Sequence, residues 1–227
     1  MHNRLPAVLV LLFLVSCGPP PPPITYSQDT GHLDFSPYGV GDYVRGLQKR
    51  KSGDFEASLR SFGPLAQRGD EAAQFEVAQM VLDGMGVEQN DAEGVHWLTL
   101  AAENGYELAQ YDLARIYQVG TRVPRDLDLA RKWFGRAADQ GHAISQYDLF
   151  KIHYYGEGVP TNTPVALEWL HKSAKGGFSV AQHQLGIFFR DGRHMEQDRK
   201  AAISFFKKAA AKGYDPAKND LEALQAD

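Results

Sequence analysis

The sequence predicts an all-α fold, an α-solenoid of antiparallel helix pairs stacked in 36-residue repeats. Trp97, Trp133 and Trp169 are spaced 36 residues apart, and Phe205 follows at the same interval. Two glycine series keep that spacing, at Gly69, Gly105, Gly141, Gly177 and Gly213 and at Gly84, Gly120, Gly156 and Gly192. Between the glycines, apolar residues follow a helical period. One helix pair cannot bury its apolar face alone, so we expect neighbouring pairs to stack.

Residues 1–16 have the features of a bacterial lipoprotein signal peptide. Arg4 precedes an apolar run from Leu5 to Val15, and about 11 residues are too few to cross a bilayer as a helix. The segment LVSC ending at Cys17 resembles a lipobox, which implies diacylation (palmitate-type chains) of Cys17 and stable membrane attachment. Gly18 stands where inner-membrane lipoproteins carry Asp, which favours the outer membrane, facing the periplasm. The alternatives are an ordinary secretory signal or a short N-terminal anchor.

Residues 17–38 are predicted to form a tether. The proline run from Pro19 to Pro23 favours polyproline II and a stiff spacer. Such a run can also be a ligand of SH3-like domains. The following residues, up to about Tyr38, are polar and rich in Gly and Pro, so we expect no packed structure there.

Residues 39–227 are predicted to form the solenoid. It divides into an N-terminal capping hairpin (39–69), four repeats (70–105, 106–141, 142–177 and 178–213) and a C-terminal capping helix (214–227). In the first repeat, the spacing of Ala73, Val77 and Met80 predicts a one-faced helix, which we name helix A. Gly84 ends helix A, because glycine tolerates the positive φ of a helix C-terminus.

The second helix of each repeat, helix B, starts after a residue suited to capping its free amides. These residues are Asn90, Asp126, Asn162 and Asp198. Helix B then carries a large aromatic residue and small alanines on its inner face, for example Trp133 with Ala137 and Ala138. A further column, Gln74, Gln110, Gln146 and Gln182, is predicted to form hydrogen bonds between adjacent repeats.

This pattern resembles the Sel1-like repeat, a relative of the tetratricopeptide repeat. The block AQYDLARIYQVGTRVPRDLDLARKWFGRAADQG at residues 109–141 matches it almost throughout. The resemblance covers about residues 70–213 and implies a non-catalytic superhelix that binds proteins or peptides. Arg122 and His194 replace the second loop glycine, so we expect looser loops there, and Gly135 weakens its helix.

Composition excludes several functional classes. The chain has 227 residues, 43% hydrophobic and 23% charged, typical of a soluble globular protein. Its net charge of −4 provides no basic surplus for nucleic-acid binding. A single cysteine excludes an intramolecular disulfide and a cysteine-based zinc site.

Catalytic and metal-binding motifs are absent from the sequence. The eight histidines form no HExxH or paired i, i+4 cluster, and His153 is predicted to be a packing residue. We find no GxSxG, Walker, Rossmann or kinase motif. Some Sel1-like proteins are reported with penicillin-binding or β-lactamase activity, but those carry a cysteine pair in each repeat, which this chain lacks. We therefore predict no enzyme activity, no cofactor and no metal.

Helix A is predicted to leave one face free for a partner. At 100° per residue, the columns of Phe75 and Gln79 lie opposite the core stripe. The resemblance places helix A on the concave side of the superhelix, and aromatic and arginine residues are enriched at binding hot spots. The predicted groove consists of Phe75, Tyr111, Arg115, Tyr147, Lys151, Tyr154, His183 and Arg190. The alternative is that the aromatic row packs against helix B of a neighbouring repeat.

The function predicted from sequence is a membrane-anchored scaffold of the bacterial envelope. Its groove would bind an envelope protein or peptide during assembly of a larger complex. The alternative is a cell-wall glycan or muropeptide module, with Tyr111, Tyr147 and Tyr154 stacking on sugar faces. An envelope hydrolase is the third hypothesis, although the sequence displays neither its nucleophile nor its base.

Overall fold

The computed structural model describes residues 21–28, 30–35 and 39–226, which form eleven α-helices. They are α1 (Tyr43–Lys51), α2 (Phe55–Gln67), α3 (Glu71–Leu82), α4 (Asp91–Glu103), α5 (Glu107–Val119), α6 (Leu127–Asp139), α7 (Ala143–Tyr155), α8 (Thr163–Lys175), α9 (Ser179–Asp191), α10 (Arg199–Ala211) and α11 (Asp215–Ala226). The principal contacts join helices adjacent in the chain. The all-α solenoid of helix pairs is therefore confirmed. Cys17 and the proline residues up to Pro20 lie outside the described residues.

The predicted caps begin and end the helices. In each helix B, the side chain of the capping Asn or Asp accepts a hydrogen bond from the backbone N–H three residues later, at 2.9 to 3.2 Å. Three helices A end at a glycine in the left-handed conformation, for example Gly120 with φ 77°. Its N–H donates to the Ile116 carbonyl. The helix boundaries thus follow from short polar residues and glycines at fixed offsets.

The apolar columns form the core. Ala73, Val77, Met80 and Val81 are fully buried, and Trp97 and Trp133 are nearly so. Trp169 and Phe205 are only half-buried. The aromatic column therefore becomes more exposed toward the C-terminal repeats.

The glutamine column connects successive repeats. Each amide donates to the backbone carbonyl of an alanine eight residues earlier, in the preceding unit, at 2.9 to 3.1 Å. Gln74 and Gln110 also accept, through Oε1, from the side-chain amides of Asn104 and Gln140 (2.9 and 2.8 Å). The Oε1 atoms of Gln146 and Gln182 are buried without a hydrogen-bond partner in the part of the chain described. The predicted inter-repeat role of these residues is confirmed.

The segment before the first helix is packed, contrary to the expectation of no packed structure up to residue 38. Leu33 and Phe35 are buried in the same core as Trp97, and Tyr26 forms an antiparallel bridge with Leu33. The buried carboxylate of Glu93 accepts from the Leu33 N–H (2.9 Å) and from Trp97 Nε1 (2.7 Å). The apolar residues within this Gly-rich and Pro-rich stretch cover the exposed end of the solenoid.

The two loops that lack the second glycine are held by side-chain contacts instead of being left loose. The Arg122 guanidinium donates to the Leu82 carbonyl (2.7 Å) and to Asp91 (2.6 Å), and it pairs with Asp83 at 3.3 Å. His194 adopts a positive φ of 62°, and its Nε2 lies 3.0 Å from the Tyr154 hydroxyl. Arg122 therefore joins the second repeat to the first.

Candidate functional site

The aromatic members of the predicted groove lie at the junctions between repeats. Phe75, Tyr111, Tyr147 and His183 are half-buried, and each contacts the ring of the first residue of the following unit. The ring centroids are 5.0 Å apart for Phe75 and Tyr106, 4.8 Å for Tyr111 and His142, 5.4 Å for Tyr147 and Phe178, and 5.2 Å for His183 and Tyr214. The row therefore contributes to packing and presents only part of each ring to solvent.

Two of these rings also contact helix B of their own repeat. Tyr111 lies 6.0 Å from Phe134, and His183 lies 5.5 Å from Phe206. Burial raises the pKa of Tyr111 and raises that of Tyr147 to about 12. Both phenols are consequently neutral hydrogen-bond donors at physiological pH.

The cations beside the row differ in how strongly they are engaged within the chain. Arg115 is exposed, and its one side-chain hydrogen bond among the described residues goes to the Gln118 side chain, at 3.3 Å. Lys151 pairs with the buried carboxylate of Asp148 at 2.6 Å, and its Nζ lies 5.6 Å from the Tyr147 ring centroid. Arg115 is thus the member of the set most available to a partner.

The C-terminal members of the set are engaged by α11. His183 pairs with Asp220 at 2.7 Å and Arg190 pairs with the same carboxylate at 3.1 Å. Arg190 also pairs with Asp191 at 2.7 Å. The capping helix therefore occupies the polar groups at this end of the row, and the accessible part of the groove centres on α5 and α7.

Tyr154 lies near the following loop. Its ring contacts Phe150 and Phe188, with centroids 5.2 and 5.9 Å away, and its hydroxyl contacts His194. Tyr154 is half-buried. It therefore links the third repeat to the loop of the fourth and offers one edge to solvent.

An acidic column runs beside the aromatic row and was not predicted. Glu76, Asp112 and Asp148 each follow an aromatic residue by one position and keep the 36-residue spacing. Asp112 accepts from Gln79 Nε2 at 2.9 Å, and burial raises its pKa. Glu76 pairs with Arg50 of the capping hairpin. The spacing signal was present in the sequence, but the prediction considered only aromatic and basic residues.

The described part of the chain contains no cluster of three His, Cys, Asp or Glu side chains that could hold a metal ion. His153 is half-buried, as predicted, and burial lowers its pKa. None of the described helices is both long and apolar enough to span a bilayer.

The repeat structure and its contacts agree with the comparison with known families. The family model of the Sel1 repeat matches four consecutive segments, residues 71–106, 108–142, 143–178 and 179–214. The chain belongs to the Sel1 repeat family. Sel1 repeats in general form non-catalytic scaffolds for protein–protein interaction. Among curated proteins, none matches this chain.

Solved Sel1 repeat structures share the architecture. A Sel1 repeat protein from Oxalobacter formigenes is 27% identical, with a TM-score of 0.71 over 79% of this chain and 74% of its own. The protein c5321, a protective antigen present in uropathogenic Escherichia coli strains, displays the same fold with 29% identity and a TM-score of 0.69. That alignment covers 84% of this chain and 41% of c5321. The present Sel1 protein thus spans less than half of c5321.

Proposed function

We propose that this Sel1 repeat protein is a non-catalytic scaffold, anchored by lipid at Cys17 in the bacterial envelope, that binds a protein or peptide through helix A of its central repeats. The proposed site is the helix-A surface, defined by Tyr111, Arg115, Tyr147 and Lys151. The proposed location is the periplasmic side of the outer membrane, and the role is assembly of an envelope complex.

The observation that carries this proposal is the exposed Arg115 between two half-buried tyrosines on adjacent repeats. Tyr111 and Tyr147 are fixed by ring contacts on both sides, so they lose little conformational entropy on binding. Rigid aromatic anchors next to an arginine are typical of binding hot spots. The family's general role in protein–protein interaction supports the same assignment.

The first prediction tests the helix-A surface. Changing Tyr111, Arg115, Tyr147 and Lys151 together to alanine removes anchors that commonly contribute about 2 kcal/mol or more each. We expect at least a tenfold loss of partner recovery after crosslinking in envelopes and purification from detergent. The measurement is quantitative mass spectrometry of the captured proteins.

Two further variants separate loss of binding from loss of folding. Arg115→Glu changes only an exposed side chain, so it should weaken capture while circular dichroism and the melting temperature stay unchanged. Lys132 is an exposed residue of helix B in the second repeat. The variant Lys132→Ala should therefore capture the partner as well as the original chain does. Undiminished capture by both Arg115→Glu and the quadruple variant would refute the site.

The second prediction tests the anchor. Cys17→Ala removes the thiol that diacylation requires, so the variant should lose label from a fatty-acid probe and leave the membrane fraction. Cys17→Ser serves as a second variant, because serine is similar in volume to cysteine but lacks the thiol. An unlabelled parent protein would refute the lipid anchor without affecting the helix-A surface.

A glycan ligand is the rival outcome. Binding of the purified protein to isolated sacculi, lost in the quadruple variant, would assign the tyrosine row to cell-wall glycan instead of a protein.

A further inference from the structure

A second groove lies on the helix-B side of the C-terminal repeats. It is about 790 Å³ in volume and runs between α8 and α10. The half-buried Phe205 contributes apolar surface, and the buried residues Ala174, Leu185 and Gln182 form the base of the groove. It shares no residue with the helix-A surface.

The rim of this groove is basic. Lys172, Lys175 and Lys208 line it, against one carboxylate, Glu168. Glu168 pairs with Lys172 at 2.7 Å, whereas Lys175 and Lys208 form no ion pair among the described residues. Lys208 Nζ lies 5.1 Å from the Phe205 ring centroid. Lys172 Nζ lies 4.1 Å from the Trp169 ring centroid and so stays near the groove wall. The fourth repeat as a whole carries seven Lys or Arg and three Asp or Glu. A ligand with negative charge would complement this rim.

The chain itself shows what such a groove can hold. The equivalent groove at the other end lies between α2 and α4, and residues 32–35 occupy it. Phe35 lies 6.2 Å from Trp97, and a Cβ atom at Gly63 of α2 would collide with the Phe35 ring. The Leu33 backbone N–H donates to Glu93 of α4. The occupant is thus an extended segment with an apolar anchor.

The repeat register relates the two grooves. Three repeat lengths separate Trp97 from Phe205 and Gln74 from Gln182. Both glutamines are buried and donate to the backbone carbonyl of an alanine eight residues earlier, Ala66 and Ala174, so the two grooves have the same base. His171 stands at the position of Gly63 and narrows the groove there.

We propose that the groove between α8 and α10 binds an extended acidic segment of a partner protein, with one apolar side chain seated on Phe205. The carboxylates of the segment pair with Lys175 and Lys208. This gives the scaffold a second binding surface, separate from the helix-A surface.

The test uses the full-length chain in detergent and a fluorescein-labelled peptide, EEDGELDFE. This probe keeps the Leu-Asp-Phe sequence of residues 33–35 and adds carboxylates. Fluorescence polarisation gives its Kd, and the control probe KKNGKLNFK has the same apolar residues with positive charge. We expect the acidic peptide to bind at least about tenfold more tightly than its basic counterpart.

Matched charge reversals locate the binding. The double variant Lys175→Glu/Lys208→Glu should weaken binding of the acidic peptide about tenfold. The variant Lys132→Glu/Lys200→Glu has the same net charge but alters exposed lysines that do not line the groove, so its Kd should stay within about twofold. Circular dichroism melts confirm that both variants fold.

Several results would overturn this proposal. They are absence of peptide binding, equal weakening by both double variants, or loss of binding in Arg115→Glu, which would place the peptide on the helix-A surface. A dimer seen by analytical ultracentrifugation and lost in Lys175→Glu/Lys208→Glu would assign the groove to a second copy of this chain. Partner capture by the quadruple helix-A variant is measured separately, so failure of one proposal leaves the other testable.

Discussion

Buried histidines couple stability to pH at the scale of single residues. Burial lowers the pKa of His142 and of His153 below the value in an unfolded chain. Each therefore takes up its proton more readily after unfolding, and acidification through about pH 6.5 favours the unfolded state. We predict that the melting temperature falls between pH 7.5 and 5.5. Burial raises the pKa of Asp112, so protonation of this carboxyl favours the folded state. That contribution is opposite to the one from the histidines and appears at lower pH, in the range where carboxylates titrate.

His142→Asn isolates one of these contributions. The His142 side chain accepts from the Ser145 N–H at the start of α7, and asparagine is also a favoured capping residue. The variant should melt normally at pH 7.5 and lose less stability at pH 5.5 than the parent chain. An unchanged pH dependence would show that His142 does not contribute.

The structural roles of residues that recur in every repeat could be predicted from the sequence. The roles of residues that occur once could not. The caps at Asn90 and Asp126 follow from a short polar side chain before each helix B. Glu93 was not predicted to be buried, because its partners include the Leu33 backbone, 60 residues away. The helical period predicts a shared face for the groove residues, but the engagement of His183 by Asp220 depends on how α11 docks.

At the scale of a helix, two glycines in the second repeat should respond oppositely to alanine. Gly135 lies inside α6, and a Cβ atom there would have no atom within 4 Å, so Gly135→Ala should stabilise the protein by about 0.5–1 kcal/mol. Gly120 ends α5 with φ 77°, and its Cβ would lie 2.9 Å from the Arg125 Cβ. Gly120→Ala should cost about 1–2 kcal/mol.

Urea unfolding of both variants measures these changes. Shifts of the midpoint in opposite directions with an unchanged m-value would show that both variants change stability and not the surface exposed on unfolding. Destabilisation by Gly135→Ala would mean that the open space beside α6 is filled in solution.

The segment 21–35 shows where element prediction fails. Gly and Pro residues indicate a loop, and the apolar residues between them lack helical or strand periodicity. Their burial arises because the capping hairpin leaves apolar surface at the end of the solenoid, which any adjacent Leu or Phe can cover. This is a property of the stack, so no local pattern encodes it.

At the scale of the whole molecule, stability should depend on position along the stack. Contacts join neighbouring helices, so each repeat is stabilised mainly by the next. Trp133 is 6% exposed in the large central core, whereas Phe205 is half-buried near the end. Trp133→Ala should cost about 3–5 kcal/mol and Phe205→Ala less.

Thermal melts followed by circular dichroism compare the two variants. We expect Trp133→Ala to lower the midpoint temperature of the main transition. At that lowered midpoint, Phe205→Ala should still keep most of its helix signal. Equal losses in both variants would contradict a stack stabilised by neighbour contacts.

Arg122 constrains how this array can change through gene duplication. The arginine belongs to the second repeat, but its partners Asp83 and Asp91 belong to the first. A copy of residues 106–141 inserted directly after the original would present its arginine to Val119 and Leu127, which offer no carboxylate. A duplication that keeps this contact must therefore copy the first two repeats together, as one 72-residue unit. We expect longer relatives of this protein to have copied both repeats or to carry new repeats elsewhere.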